Sequence, residues 1–165
     1  VSAAYLAKVP DAKIKEALKT FKNAPHRTES VATIGGVEFV NDSKATNLDA
    51  MAQALRSAAG PVVLIAGGKD KGFEFDDIAE LVQGRARAAV LIGEMRHRIA
   101  SSWKNTDCHC VDSLEEAVAA AHSLARAGDT VLFSPGTSSF DMFQNYGERG
   151  NLFKNFVNQL PNTTP

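Results

Sequence analysis

The chain of 165 residues lacks the features that mark membrane proteins, disulfide-rich proteins and nucleic-acid-binding proteins. No apolar run approaches the roughly 20 residues of a membrane-spanning helix, and the first residues do not resemble a signal peptide. Lys and Arg number 18 against 19 Asp and Glu, so the formal net charge of −1 gives no basic surplus for nucleic acid or anionic lipid. We therefore expect a soluble, cytoplasmic protein.

Cysteine is scarce as well. Cys108 and Cys110 are too few for a disulfide framework, which favours a reducing compartment. They flank His109, but four-coordinate zinc needs further ligands at useful spacing. In a strand the two thiols also share one face while the imidazole takes the other. We interpret both as core cysteines and predict no metal site in the chain.

What the sequence does contain is typical of one globular domain, with 44% hydrophobic and 22% charged residues. Runs that are apolar throughout, at 61–66, 88–92 and 130–133, alternate with helix-like segments. Such strands are typical of a mostly parallel sheet that helices cover on both faces. A hairpin precedes them, because Gly35-Gly36 joins two β-rich runs. We predict an α/β, Rossmann-like fold with helices on both faces of the sheet and an N-terminal β-hairpin.

Apolar periodicity and capping residues predict the helices. Asn47 suits a helix N-cap, and Ser113 forms a capping box with Glu116. The predicted helices cover residues 11–23, 48–55, 76–82, 94–103, 114–127, 140–146 and 149–160, with a further strand at 108–111.

Three polar loops follow predicted strands, and ligands of open parallel sheets bind beyond the carboxyl ends of the strands. We call them the first loop (41–47), the second loop (67–72) and the third loop (134–139). Each loop also precedes a predicted helix. Because all three lie at carboxyl ends of strands in one sheet, we expect them to converge on one ligand site. The alternative for each, taken alone, is an ordinary solvated connection or helix cap.

The first and second loops carry lysines. Asp42, Lys44 and Thr46 alternate, so in an extended segment they face one side, where a lysine suits a phosphate or carboxylate. The second loop has the glycine spacing of a phosphate loop, but Phe73-Glu74 replaces the required Lys and Ser/Thr, so we reject that assignment. It retains Lys69 and Lys71, which can approach an anion.

The third loop offers hydroxyl groups and free backbone N–H groups at the start of the helix predicted from Phe140, which favours an anion seat. A nucleophile elbow is excluded because G-x-S-x-G is absent. Arg27 lies just before the hairpin, where it either reaches a nucleotide or pairs with Glu29 on the surface.

The string Asn-Asp-Ser-Lys-Ala-Thr-Asn at 41–47 resembles the hallmark of the D-glutamate-adding members of the Mur ligase family. The resemblance covers essentially the whole chain, with residues 1–24 similar to the end of the family's central ATPase domain and 25–165 similar to its C-terminal, glutamate-binding domain. Further matches occur at the expected spacings: Pro25-His-Arg27, Gly67–Gly72, Ser134-Pro135, Ser139-Phe-Asp141 and Arg149-Gly150.

The resemblance implies an ATP-dependent ligase of peptidoglycan synthesis, which joins D-glutamate to UDP-N-acetylmuramoyl-L-alanine through an acyl phosphate. It also implies Mg²⁺, bound outside this chain, and the missing N-terminal and central domains as partners. By motif position, Arg27 and Asp42 contact the nucleotide, and Lys44 is the catalytic lysine that approaches the phosphates. Thr46 and Lys71 hold one glutamate carboxylate, and Ser139 with the backbone at Phe140 holds the other.

No G-K-[ST] phosphate loop occurs in the 165 residues. We therefore expect a piece of a larger enzyme that cannot catalyse ligation by itself. Two alternatives stay open: another amino-acid ligase of the superfamily, of the folylpolyglutamate type, or a non-catalytic module that binds a nucleotide or dicarboxylate.

Overall fold

The computed structural model describes residues 2–21 and 23–161. Its centre is a six-stranded sheet in the order β1-β2-β6-β3-β4-β5, in which β1 pairs antiparallel with β2 and every other neighbouring pair is parallel. This confirms the mostly parallel α/β sheet. The strands are β1 Glu29–Ile34, β2 Val37–Asn41, β3 Val62–Gly67, β4 Ala86–Ile92, β5 Cys108–Cys110 and β6 Thr130–Phe133.

The described residues contain seven α-helices: two precede the strands, four connect strands and one follows the last strand, and a 3-10 turn at Phe75–Ile78 leads into the fourth helix. The predicted caps are confirmed: the Asn47 side chain accepts from the N–H of Ala50, and the Ser113 hydroxyl accepts from the N–H of Glu116. The helices are α1 Ser2–Leu6, α2 Asp11–Thr20, α3 Leu48–Ser57, α4 Ala79–Arg85, α5 Arg96–Ser102, α6 Leu114–Leu124 and α7 Tyr146–Gln159.

Each face of the sheet has its own hydrophobic cluster. β3 is buried along its whole length, and its side chains alternate between the clusters, Val63 toward α6 and α7 and Leu64 toward α3, α4 and α5. Phe133 stacks on Phe153 of α7, with ring centroids 4.7 Å apart. Helices thus cover both faces, as the apolar strands predict.

The N-terminal hairpin is also confirmed. Gly35 and Gly36 take positive φ values of 57° and 80°, which suit the tight turn between β1 and β2. Because β2 pairs with β6, the hairpin extends the parallel sheet and brings the end of β2 beside the ends of β6 and β3.

The helix predicted at 140–146 is wrong. The carbonyl of Ser139 accepts from the N–H groups of Met142 and Phe143 in a turn, and the next helix begins only at Tyr146. The reason is a local cap: the Asn145 side chain accepts from the N–H of Glu148 at 2.9 Å and starts α7 there.

The interpretation of Cys108 and Cys110 as core cysteines is wrong for Cys110 and holds only in part for Cys108, which packs at the margin of one hydrophobic cluster. β5 is an edge strand, so Cys108 is only half-buried and Cys110 is exposed, and both thiols are free. Across residues 2–21 and 23–161, no group of three or more His, Cys, Asp or Glu side chains could hold a metal ion.

The two N-terminal helices lie outside both hydrophobic clusters. Ile14 is buried, but Leu18 is 55% exposed and Phe21 is 70% exposed. No helix in the described part of the chain is long and apolar enough to cross a membrane.

Candidate functional site

The three polar loops do converge at the carboxyl ends of β2, β3 and β6. Backbone hydrogen bonds join them: Gly136 N–H donates to the Ala45 carbonyl at 2.9 Å, and Lys69 N–H donates to the Ser138 carbonyl at 3.0 Å. The third loop lies between the other two because β6 lies between β2 and β3. The three loops therefore form one connected surface, as expected.

A cleft of about 530 Å³ opens among these loops. It gathers all four residues predicted to bind the substrate, together with two side chains from the start of α7 that the sequence reasoning missed. Its walls are formed by Thr46, Lys69, Asp70, Lys71, Ser138, Ser139, Phe140, Asn145 and Tyr146.

Two lysine ammonium groups, that of Lys44 beside the cleft and that of Lys71 in its wall, have weak partners. Lys44 Nζ lies 3.2 Å from the Tyr146 hydroxyl and 4.9 Å from its ring centroid. Lys71 Nζ donates to the Thr46 carbonyl at 3.2 Å and lies 5.2 Å from the Phe73 ring centroid. Since these contacts involve exposed, neutral groups, an anion can replace them at little cost.

Asp42 does not share one open face with Lys44 and Thr46, so the alternation argument is wrong here. The first loop is turned, with Ala45 N–H donating to the Asp42 carbonyl at 2.8 Å. The Asp42 side chain, in a residue only 8% exposed, points back into the protein. It accepts from Thr28 N–H at 3.1 Å and from the Ser134 hydroxyl at 2.8 Å.

Burial raises the pKa of the Asp42 carboxyl, and the hydrogen bonds from Ser134 and Thr28 and the nearby charge of Arg27 oppose that rise. Two of the roughly four acceptor positions of the carboxylate are occupied by these bonds. Asp42 therefore ties the start of β1 to the third loop and keeps some acceptor capacity.

A buried network behind the first loop centres on Asn41, which is fully buried. Its amide nitrogen lies 3.0 Å from His26 Nδ1 and donates to the Gly150 carbonyl at 3.1 Å, while its oxygen accepts from Ser43 N–H. The His26 carbonyl in turn accepts from Lys44 N–H at 3.0 Å. The network thus fixes the backbone that presents Lys44.

The His26 ring is held in its neutral form. Burial lowers its pKa, and the charges of Lys154 and Lys44 lower it further, against the opposing effect of Glu29. A neutral ring lets Nδ1 accept from the Asn41 amide, which leaves the proton on Nε2.

Arg27 is exposed at the tip of a strained turn. His26 and Thr28 on either side have positive φ values of 63° and 42°, which non-glycine residues rarely adopt. The ion pair of Arg27 with Glu29 does not form, because Glu29 accepts from Lys154 at 3.2 Å and from His26 N–H at 2.9 Å. Arg27 keeps an exposed guanidinium near Asp42.

The third loop does not lie at a helix N-terminus, since the residues after it form a turn. The dipole argument for an anion seat is therefore wrong. The loop still offers donors: Ser139 reaches the cleft, and within the described residues the N–H of Phe140 makes no hydrogen bond.

Arg149 is the largest polar side chain buried near the cleft, with no exposed surface. Burial lowers its pKa to about 10, and the charge of Asp141 opposes the shift. Its partners, Ser43 and Thr137, are more than ten residues away along the chain, so sequence spacing could not reveal them. The Arg149-Gly150 match to the family motif was the available signal.

This fold and site define an α/β domain with a polar, lysine-bearing cleft at the carboxyl ends of parallel strands. A family profile described as "Mur ligase, glutamate ligase domain" matches residues 26–137. The chain belongs to the Mur ligase family and corresponds to its C-terminal domain.

Two curated relatives with the same name illustrate the similarity. The UDP-N-acetylmuramoylalanine–D-glutamate ligase of Chlorobium chlorochromatii is 47% identical over 148 residues, covering 89% of this chain and 32% of that protein. The enzyme of that name from Caldanaerobacter subterraneus is 45% identical over 164 residues, covering 96% and 36%. The chain thus spans about a third of the length of these relatives.

Solved structures share the fold at lower identity. A pseudomurein peptide ligase type C from Methanothermus fervidus superposes with a TM-score of 0.61 at 20% identity, over 96% of this chain and 34% of that one. A folylpolyglutamate synthase from Thermotoga maritima gives 0.58 at 17% identity, over 93% and 35%.

Proposed function

We propose that this chain is the glutamate-binding domain of an ATP-dependent ligase that adds D-glutamate to UDP-N-acetylmuramoyl-L-alanine in peptidoglycan synthesis. The observation that carries the proposal is the cleft that gathers Thr46, Lys71, Ser139 and Phe140. The shared name of relatives at 45% and 47% identity supports the choice of substrate.

The cleft suits an amino acid with two carboxylates because it has donors on two sides. Thr46 and Lys71 hold one carboxylate, with the Lys71 ammonium moving from the Thr46 carbonyl to the ligand. Ser139 and the free N–H of Phe140 hold the other, since both lie at the end of the third loop, across the cleft. Holding both ends orients the amine for attack.

Lys44 is the proposed catalytic residue. Its backbone is fixed by the His26 carbonyl, while its ammonium has only the Tyr146 hydroxyl and ring as partners. A cation so placed stabilises the negative charge that develops when the amine attacks the acyl phosphate and phosphate leaves.

We assign Arg27 and Asp42 to the nucleotide. The exposed guanidinium of Arg27 suits a phosphate or a base, and the remaining acceptor capacity of Asp42 suits ribose hydroxyl groups. When bound, ATP supplies the phosphoryl group that activates the substrate carboxylate. The described residues offer no cluster that fits Mg²⁺, so we place the ion's protein ligands outside this chain.

We also propose that residues 1–24 are the end of the central ATPase domain and that 25–165 form the glutamate-binding domain. The two described N-terminal helices share neither hydrophobic cluster of the sheet, and Leu18 and Phe21 are exposed. These apolar side chains are expected to pack against the ATPase domain.

The test uses the complete protein that contains this chain and measures ADP release in the presence of ATP, UDP-N-acetylmuramoyl-L-alanine and amino acid. We expect release with D-glutamate, and none from the 165-residue chain alone. In Lys71→Ala the KM for D-glutamate should rise about tenfold or more, since one charge-assisted hydrogen bond is worth about 1.5–3 kcal/mol.

Lys104→Ala, which removes an exposed lysine remote from the cleft, serves as the matched control and should leave the KM unchanged. An unchanged KM in Lys71→Ala would reject the carboxylate assignment. A preference for L-glutamate on a folate would instead identify a ligase of the folylpolyglutamate type.

A further inference from the structure

Arg149 lies beneath the cleft, one helical turn after Asn145 and Tyr146, which form part of its wall. The residue has no exposed surface, so it does not contact a ligand in the cleft directly. Its hydrogen-bond partners are neutral hydroxyl and carbonyl oxygens rather than a carboxylate. A charge without a paired carboxylate is costly to bury, so the arrangement calls for an explanation.

The guanidinium joins two loops. Nε donates to the Ser43 hydroxyl at 3.1 Å and Nη2 donates to the Ser43 carbonyl at 2.8 Å. Nη1 and Nη2 also donate to the Thr137 carbonyl at 3.4 and 3.3 Å. Ser43 precedes Thr46 by three residues and Thr137 precedes Ser139 by two, so Arg149 lies between the segments that carry the two proposed carboxylate seats.

The joint has little room to adjust. A Cβ atom on Gly68 of the second loop would lie 3.3 Å from Arg149 Nη1 and 2.6 Å from Thr137 Oγ1. The Phe133 ring centroid lies 5.9 Å from the guanidinium carbon. The Arg149 guanidinium is a planar fork and its donor directions are fixed. Because its surroundings are tightly packed, it sets the distance between the first and third loops.

We propose that Arg149 is a positioning residue that sets the separation of the two carboxylate seats, and thereby the chain length of the amino-dicarboxylate that the cleft selects. The proposal rests on the proposed function, which places one seat at Thr46 and Lys71 and the other at Ser139 and Phe140. Lysine cannot replace this fork, because a single ammonium cannot hold both loops in the same geometry.

The loops stay joined without Arg149. Gly136 N–H still donates to the Ala45 carbonyl, and the Ser134 hydroxyl still donates to Asp42. Substitution of Arg149 should therefore loosen the spacing of the seats and weaken selection by length, without detaching the loops.

The experiment titrates the complete protein that contains this chain with D-aspartate, D-glutamate and D-2-aminoadipate, which differ by one methylene each, and measures the three dissociation constants. The wild type should bind D-glutamate roughly tenfold or more tightly than either neighbour, the scale on which one methylene is discriminated in a shaped site. In Arg149→Lys this preference should fall to about threefold or less, with Ser43→Ala between the two.

Arg85→Lys is the matched control. Arg85 also donates to loop carbonyls, those of Leu55, Ala58 and Gly60, but at the opposite end of the sheet, so its substitution should leave the preference unchanged.

Each possible result supports or overturns the inference that Arg149 sets the separation of the two seats. A preference retained in Arg149→Lys overturns the inference, including the case in which all three affinities fall by one factor, since that marks a purely structural role. If Arg149→Lys does not fold, Ser43→Ala decides by the same criterion. A wild type that binds all three ligands equally also overturns the inference, whereas a wild type that binds none rejects the proposed function itself.

Discussion

Lys44 of the first loop lies beside Tyr146 of the cleft wall and Lys71 of the second loop lies in that wall, but the protein holds the two loops in opposite ways. Asn41, Asp42 and Ser43 are buried and their side chains are hydrogen-bonded, so the first loop is fixed before any ligand arrives. In the second loop Lys69, Asp70 and Lys71 are exposed, and their partners are surface groups.

The difference matches the proposed roles. A lysine that stabilises charge in the transition state works best from a fixed position, because no free energy is then spent on moving it during the reaction. A lysine that binds an incoming substrate benefits from a loop that can shift, and the second loop can shift because it has few buried contacts. Under the proposed roles, the first loop is the rigid side and carries the reacting lysine, and the second loop is the adaptable side and carries a lysine that binds substrate.

The largest expected effect comes from breaking the rigid side with Gly150→Ala. Gly150 lies in α7, where alanine is normally favourable, but its Cβ would overlap His26 Nδ1 and lie within 3.0 Å of the ring carbon Cγ. We expect a loss of about 1–3 kcal/mol in the free energy of unfolding, the usual cost of overpacking, measured by urea denaturation.

Gly84→Ala in α4 is the matched control, because a Cβ there meets no atom within 4 Å. It should stabilise the chain by about 0.5–1 kcal/mol through helix propensity. A Gly150→Ala variant as stable as Gly84→Ala would show that the network behind the first loop is soft.

A smaller effect is expected from Asp42→Asn, and its size depends on pH. The pKa of the Asp42 carboxyl is higher in the folded protein than its ordinary value of 3.8. As pH rises above 3.8, the carboxyl therefore loses its proton in the unfolded chain before it does so in the folded protein. The contribution of Asp42 to stability therefore falls as pH rises from 3.8 through the folded pKa, and it is constant above that range.

Urea denaturation of wild type and Asp42→Asn at several pH values checks this. The stability of the wild type relative to the variant should decrease across that window, with a difference of about 1 kcal/mol at neutral pH from the altered hydrogen bonds. A difference that grows with pH would show that hydrogen bonding, not burial, dominates at Asp42.

The smallest effect is expected on the adaptable side, from Arg98→Ala. Arg98 Nη1 lies 3.5 Å from Asp70 and Nη2 lies 3.2 Å from Glu74, and all three side chains are at least 42% exposed. We expect a loss below about 1 kcal/mol that shrinks in high salt, with faster hydrogen exchange in the second loop. A salt-independent loss above that size would mean that the second loop is as firmly held as the first.

Sequence patterns predicted the parts of the molecule that depend on local chemistry. Apolar strands, the Gly35-Gly36 turn and the caps at Asn47 and Ser113 are each decided within a few residues, and all appear in the structure. The convergence of the three loops was also predictable, because it follows from the order of elements in a parallel sheet.

Features that depend on distant residues could not be predicted in this way. The inward turn of Asp42 needs Ser134, 92 residues away, and the Arg149 joint needs Ser43, 106 residues away. The exposure of Cys110 follows from the position of β5 at the sheet edge, which strand order decides and composition does not. The wrong prediction at 140–146 has a local cause, because the Asn145 cap starts α7 only at Tyr146.

The neutral His26 ring has a consequence for how the domain responds to its surroundings. Burial and the neighbouring lysines lower the pKa of the His26 ring below its ordinary value of 6.5. Mild acidification from neutral pH therefore leaves the ring largely unprotonated. The hydrogen bond from Asn41 and the backbone that presents Lys44 therefore persist through moderate changes of pH. The lowered pKa of His26 thus makes the presentation of Lys44 less sensitive to mild acidification.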